Sequence, residues 1–110
     1  MNKLVYTISD IDSVKNLFCD AYLAQFKYAE TRKNYYCGIT NNLEERRIWH
    51  NVEEYIKTIE CDSFETASEM ERMLQDEGFY VGDSVGHGRN DTVFVYMYKI
   101  IPGVTRETAD

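Results

Sequence analysis

The chain has 110 residues, 44% of them hydrophobic and 14% aromatic, with 12 basic against 19 acidic side chains and a net charge of −7. That length supports a single core, no apolar run approaches the roughly 18 residues of a membrane-spanning helix, and no basic-then-apolar leader opens the sequence. A soluble, cytoplasmic protein with no membrane partner is therefore expected, and its acidity excludes the tight, autonomous grip on duplex phosphates that many lysines and arginines would give.

The elements follow in chain order. Residues 3–8 alternate, with Leu4, Tyr6 and Ile8 on one face, and predict a first strand. Ser9 or Asp10 then opens a helix whose stripe of Val14, Leu17, Phe18, Ala21 and Tyr28 is broken by Gln25 alone. A polar turn, residues 31–34, leads into a second strand over residues 35–40. Asn42 is a candidate cap for a helix over residues 42–52, with Glu45 three residues on completing a capping-box-like arrangement. Residues 55–61 alternate as a third strand. Ser63 caps a last helix that runs to Gln75 or beyond and stops near Gly78, a residue suited to the left-handed turn that ends helices. Residues 81–91, with Gly82, Gly86 and Gly88 among polar neighbours, read as a surface loop. Residues 92–100 form the clearest strand, Pro102 ends it, and residues 103–110 are expected to be a loose tail. Cys19, Cys37 and Cys61 are odd in number and lack zinc-ligand spacing, so they read as reduced, small apolar residues.

Chemistry concentrates around the second strand and the helix after it. Arg46 and His50 lie four apart on that helix and project side by side, next to the end of the strand that bears Tyr36. A tyrosine, an arginine and a histidine gathered there could serve phosphate chemistry. Charge is uneven: residues 27–47 hold five basic side chains (Lys27, Arg32, Lys33, Arg46, Arg47) against three acids, whereas residues 51–77 hold nine acids against two bases. Arg32, Lys33 and Arg47 are thus candidate substrate contacts. On the last helix, Glu71 falls in the apolar stripe of Phe64, Ala67, Met70 and Leu74, where a carboxylate is costly without a partner, a metal or a wet cleft. Taken singly, each residue also has an ordinary role: core tyrosines, a charged helix face, a histidine favoured by the helix dipole, and a stripe-edge glutamate.

Together, Tyr36-Cys37-Gly38, Arg46 eight residues past the glycine, His50 twelve past it, and Glu71 four residues after Ala67 resemble the GIY-YIG nuclease family. Leu4-Val5-Tyr6 is the candidate for the family's first motif, with Tyr22 and Tyr28 as fallback choices for its tyrosine. Leu4 stands where the family has glycine. Tyr6 and Tyr36 are thirty residues apart, where the family joins the two strands by a short hairpin. The resemblance implies an α/β fold over residues 1–102: a small, mainly antiparallel sheet flanked by helices, with an inserted N-terminal helix and an extra C-terminal strand.

It further implies a metal-dependent endonuclease or phosphodiesterase hydrolysing nucleic-acid phosphodiester bonds. Tyr6 or Tyr36, helped by His50, would position or deprotonate the attacking water. Arg46 would stabilise charge on the phosphoryl oxygens, and Glu71 would hold one Mg2+ or Mn2+. Tyr36, Arg46, His50 and Glu71 should then line one solvent-reachable cleft, with Tyr6 on the strand beside Tyr36; Arg46 and Glu71 on opposite faces of the sheet would remove the basis for this reading. The alternative is a catalytically inactive module of the same shape that binds a protein or a small phosphorylated ligand. Nucleic acid is the expected but weakly bound partner, and a homodimer or a protein partner would supply the missing basic surface.

Overall fold

The computed structural model describes residues 4–25, 31–82 and 88–107. Three helices, α1 (Ile11–Gln25), α2 (Leu43–His50) and α3 (Phe64–Asp76), accompany three strands, β1 (Tyr35–Thr40), β2 (Lys57–Glu60) and β3 (Phe94–Lys99). The strands form one antiparallel sheet in the order β1-β3-β2. The coarse α/β expectation holds. The C-terminal strand, however, is not an addition at an edge but the centre of the sheet. Its unbroken apolar run has the composition of a strand covered on both faces: Val95 and Met97 bury on one side, Tyr96 and Tyr98 on the other.

Alternation along β1 sorts its side chains between two layers. Tyr35 and Cys37 join Val14, Phe18 and Tyr22 of α1 and Ala67, Met70 and Leu74 of α3 in the larger core. Tyr36 joins Tyr96, Tyr98 and Val52 in the smaller core, with Leu43 of α2 and Tyr55 packed against it. The helices form where their caps dictate. The Asn42 side chain accepts the Glu45 N–H at 3.0 Å, and α2 ends at Asn51 in the left-handed conformation (φ 58°, ψ 47°). Ser63 accepts the Thr66 N–H at 3.2 Å, and Gly78, at φ 101°, turns the chain away after α3.

Three expectations need correction. The predicted first strand is reduced to a single bridge, in which Tyr6 pairs parallel with Cys61 beside β2. Leu4 is 88% exposed, so the alternating face has nothing to cover it, and the Thr7 N–H bond to Asp10 Oδ2 (2.8 Å) draws the chain into a 3-10 turn at Ile8–Asp10. Tyr6 therefore lies beyond β2 while Tyr36 lies on β1 at the far edge, and α1 is not inserted between neighbouring strands. The tail also differs. Residues 101–107 turn back onto the end of α2, where the Asn51 amide donates to the Val104 carbonyl at 2.9 Å and the Arg106 N–H donates to that of His50 at 2.7 Å. Residues 108–110 lie outside the described residues, as do Lys27, Tyr28 and residues 83–87 of the glycine-rich loop.

Candidate functional site

The antiparallel register of β1 and β3 sets Gly38 opposite Tyr96 and Tyr36 opposite Tyr98. Across an antiparallel pair, facing side chains share one side of the sheet, so three tyrosines stand together on the α2 face. Their rings stack at centroid separations of 5.2 Å (Tyr36 and Tyr98), 6.1 Å (Tyr36 and Tyr96) and 6.4 Å (Tyr96 and Tyr98). Gly38 leaves the room for this. A Cβ there would lie 2.5 Å from the Tyr96 hydroxyl oxygen and 2.9 Å from a ring carbon of Tyr36, closer than any side chain tolerates.

His50, at the end of α2, is fully buried against these rings. Its Nδ1 lies 2.5 Å from the Arg106 carbonyl oxygen and its Nε2 2.7 Å from the Tyr96 hydroxyl. A carbonyl can only accept, so Nδ1 carries the proton, Nε2 is bare, and Tyr96 donates to it. The Tyr98 hydroxyl sits 3.0 Å from Nδ1 and donates to Glu107 Oε2 at 2.7 Å. Burial lowers the His50 pKa from 6.5 to about 4, opposed by the Arg106 carbonyl and reinforced by the Arg46 charge; the imidazole is neutral at pH 7.

Arg46, one turn before His50, acts to lower the Tyr96 pKa against its burial and lays its guanidinium 4.1 Å from the Trp49 ring centroid; that of Arg106 lies 4.3 Å from the same ring. Burial raises the pKa of Tyr36, Tyr96 and Tyr98 alike, so all three phenols keep their protons at neutral pH. Tyr96, whose ring stacks on that of Tyr36, acts against this rise at Tyr36. Tyr96 and the bare Nε2 of His50 thus form a hydrogen-bonded pair, with the Tyr36 ring packed against both and Arg46 nearby.

Glu71 is 5% exposed on α3, whose packing residues belong to the core on the opposite face of the sheet from α2. The four expected residues therefore do not line one open cleft. The helices of Arg46 and Glu71 are split by the sheet because Ala67, Met70 and Leu74 bind α3 to the larger core. Their charges nevertheless meet at Tyr36: burial is the main cause of its raised pKa, Arg46 pulls it down, and Glu71 pushes it up. Glu71 also raises Cys37, whose side chain faces α3. Its charge is thus felt on both sides of β1.

The remaining candidates stand elsewhere. Tyr6 and Tyr22 belong to the larger core. Arg32 pairs with Glu77 at 3.3 Å and lies over the Tyr22 and Phe79 rings. Arg47 pairs with Glu44 and donates to the carbonyls of Val52 and Glu53, closing the end of α2; it also lines a hollow of about 500 Å3 with Val52, Lys99 and Val104. Lys33 lies in a 3-10 turn ahead of β1. None of these bases is aimed at Tyr36. Tyr96, Tyr98, Arg106 and Glu107 are the residues that the sequence reading did not select. The alternation of β3 put both tyrosines on one face, but the pairing partner of that strand was not legible.

Among the described residues no three His, Cys, Asp or Glu side chains gather where they could hold a metal ion. Glu71 stands as a single carboxylate whose charge reaches the Tyr36 phenol. A hard cation such as Mg2+ keeps several waters and takes its other ligands from substrate oxygens, so this lone carboxylate, 5% exposed, would be at most one of its ligands. No known protein family matches the chain, and neither a curated protein nor a solved structure does.

Proposed function

We propose that the protein hydrolyses phosphodiester bonds of nucleic acid at a site whose tyrosines are Tyr36 and Tyr96, the second supplied by the C-terminal strand in place of Tyr6. With the helices of Arg46 and Glu71 split by the sheet, the GIY-YIG register does not support this reading, which rests on the tyrosine–histidine cluster alone. The observation that carries this reading is the hydrogen bond between the Tyr96 hydroxyl and the bare Nε2 of His50, with the Tyr36 ring packed against both and Arg46 near enough to lower the Tyr96 pKa. In this mechanism a water attacks phosphorus as it gives a proton to Tyr96, which passes its own proton to His50 Nε2; the P–O bond to the leaving oxygen breaks, and that oxygen takes a proton from solvent while the imidazolium returns its own. A phosphate bound near the Arg46 guanidinium adds negative charge and raises the imidazole pKa towards neutrality, which a site at about 4 needs before it accepts a proton readily. Arg46 offers its guanidinium to the phosphoryl oxygens, where charge grows in the transition state. Glu71 would hold a Mg2+ or Mn2+ ion, which supplies positive charge against the phosphate and the leaving oxygen.

A specific observation favours a second reading. His50 is fully buried, Tyr36 and Glu71 are 5% exposed, and α2 and α3 pack on opposite faces of the sheet, as suits an inactive module that binds a protein or a small phosphorylated ligand. Cleavage separates the two. At low salt, where attraction between phosphate and the few local bases is least screened, the wild type should nick single- or double-stranded DNA or RNA when Mg2+ or Mn2+ is added. Arg46→Ala should lower the rate about 100-fold or more, and Glu71→Gln should abolish the metal dependence. A wild type inert on all substrates, with Glu71→Gln as stable as wild type or more so, would give the binding module first place.

A further inference from the structure

We propose that the C-terminal segment of residues 104–107 is a positioning element that holds His50 in the Nδ1–H tautomer and so keeps a bare Nε2 aimed at Tyr96. The proposal rests on the reading of this cluster as a proton-transfer site. Two acceptors do the work. The Arg106 carbonyl takes the Nδ1 proton at 2.5 Å. The Glu107 carboxylate takes the Tyr98 proton at 2.7 Å, which stops Tyr98, 3.0 Å from Nδ1, from donating to that nitrogen. The carbonyl sets the tautomer, and Glu107 removes the one competing donor that would offset it. A neutral imidazole has a single N–H, and its position is set by what the partner atom can accept.

The segment is fastened for this role by contacts on both sides of His50. The Arg106 N–H donates to the His50 carbonyl at 2.7 Å, the Arg106 Nε to the Trp49 carbonyl at 3.0 Å, and the Asn51 amide to the Val104 carbonyl at 2.9 Å. Thr105 closes the preceding turn, its hydroxyl accepting the Ile101 N–H at 3.0 Å. The groups facing the imidazole are Tyr36, Tyr96 and Tyr98 from the sheet, Arg46 from α2, and Arg106 and Glu107 from the segment itself. Arg106 and Glu107 act only through His50 and Tyr98, so they are positioning residues.

The test reads the tautomer directly, from the ring 15N shifts of the 15N-labelled full chain at pH 7.5, with His87→Gln to assign the two histidines. Wild type should show one tautomer, protonated at Nδ1. Glu107→Ala frees the Tyr98 proton and should give a mixture, as should removal of residues 106–110; if the shortened chain does not fold, Glu107→Ala decides. Where the wild type cleaves nucleic acid, Glu107→Ala should lose about 10-fold or more in rate, as misplacing a catalytic imidazole proton does. A single Nδ1–H tautomer surviving in Glu107→Ala, or an Nε2–H tautomer in wild type, overturns the proposal. A wild type that cleaves nothing while the tautomer shifts in the variant upholds the positioning role and sinks the phosphodiesterase reading alone.

Discussion

Acid should destabilise this protein well before its carboxylates are protonated, because of one histidine. Burial holds the His50 pKa at about 4 against an ordinary 6.5. Above pH 6.5 the imidazole is neutral in both the folded and the unfolded chain and contributes nothing to the pH dependence. Between about 6.5 and 4 the unfolded chain binds a proton that the native state refuses, so stability falls as pH falls. The whole gap amounts to about 3 kcal/mol at about 1.4 kcal/mol per pH unit, and about 2 kcal/mol of it is lost between pH 7.5 and 5. That is a large part of the roughly 5–15 kcal/mol that folds a domain. Urea unfolding followed by circular dichroism at pH 7.5, 6.5, 5.5 and 5.0 should reveal the slope in wild type and a flatter profile in His50→Gln, which cannot titrate. Parallel profiles for the two proteins would show that His50 is not held neutral, and the geometry of its hydrogen bonds would have to be reread.

Two further substitutions probe the frame of the site. Gly38→Ala sets a methyl 2.5 Å from the Tyr96 hydroxyl, and since the stacked rings cannot swing away, it should cost about 1–3 kcal/mol and alter the near-ultraviolet signal of the tyrosines; an unchanged melting temperature would mean that the rings are looser than their stacking implies. Ser63→Ala removes the side chain that caps α3 and should cost about 1 kcal/mol in thermal unfolding, without moving the His50 tautomer.

What the sequence made legible was local. Asn42 and Ser63 cap the helices they were expected to cap, and the side-by-side projection of Arg46 and His50 follows from helical spacing alone. The burial of Glu71 was readable from its place among Ala67, Met70 and Leu74. The errors came from pairing, which periodicity does not encode. Alternation over residues 3–8 looked like a strand, but a strand needs a neighbour along its length, and only Tyr6 finds one. The C-terminal strand read clearly as a strand while its central position did not, because β1 and β3 meet across most of the chain rather than through a hairpin. The tail looked loose because its contacts depend on the exposed backbone end of α2, a partner that no pattern within residues 103–110 announces.

The most direct measurement of the central claim compares two tyrosines in a metal-dependent cleavage assay at low salt. Tyr96 donates to His50 Nε2, whereas Tyr6 sits in the larger core beyond β2. Removal of one hydroxyl from each therefore tests which belongs to the site. Tyr96→Phe should cut the rate about 100-fold or more in a folded protein, and Tyr6→Phe should leave it within about twofold of wild type. Loss of cleavage in Tyr6→Phe with Tyr96→Phe fully active would contradict the account.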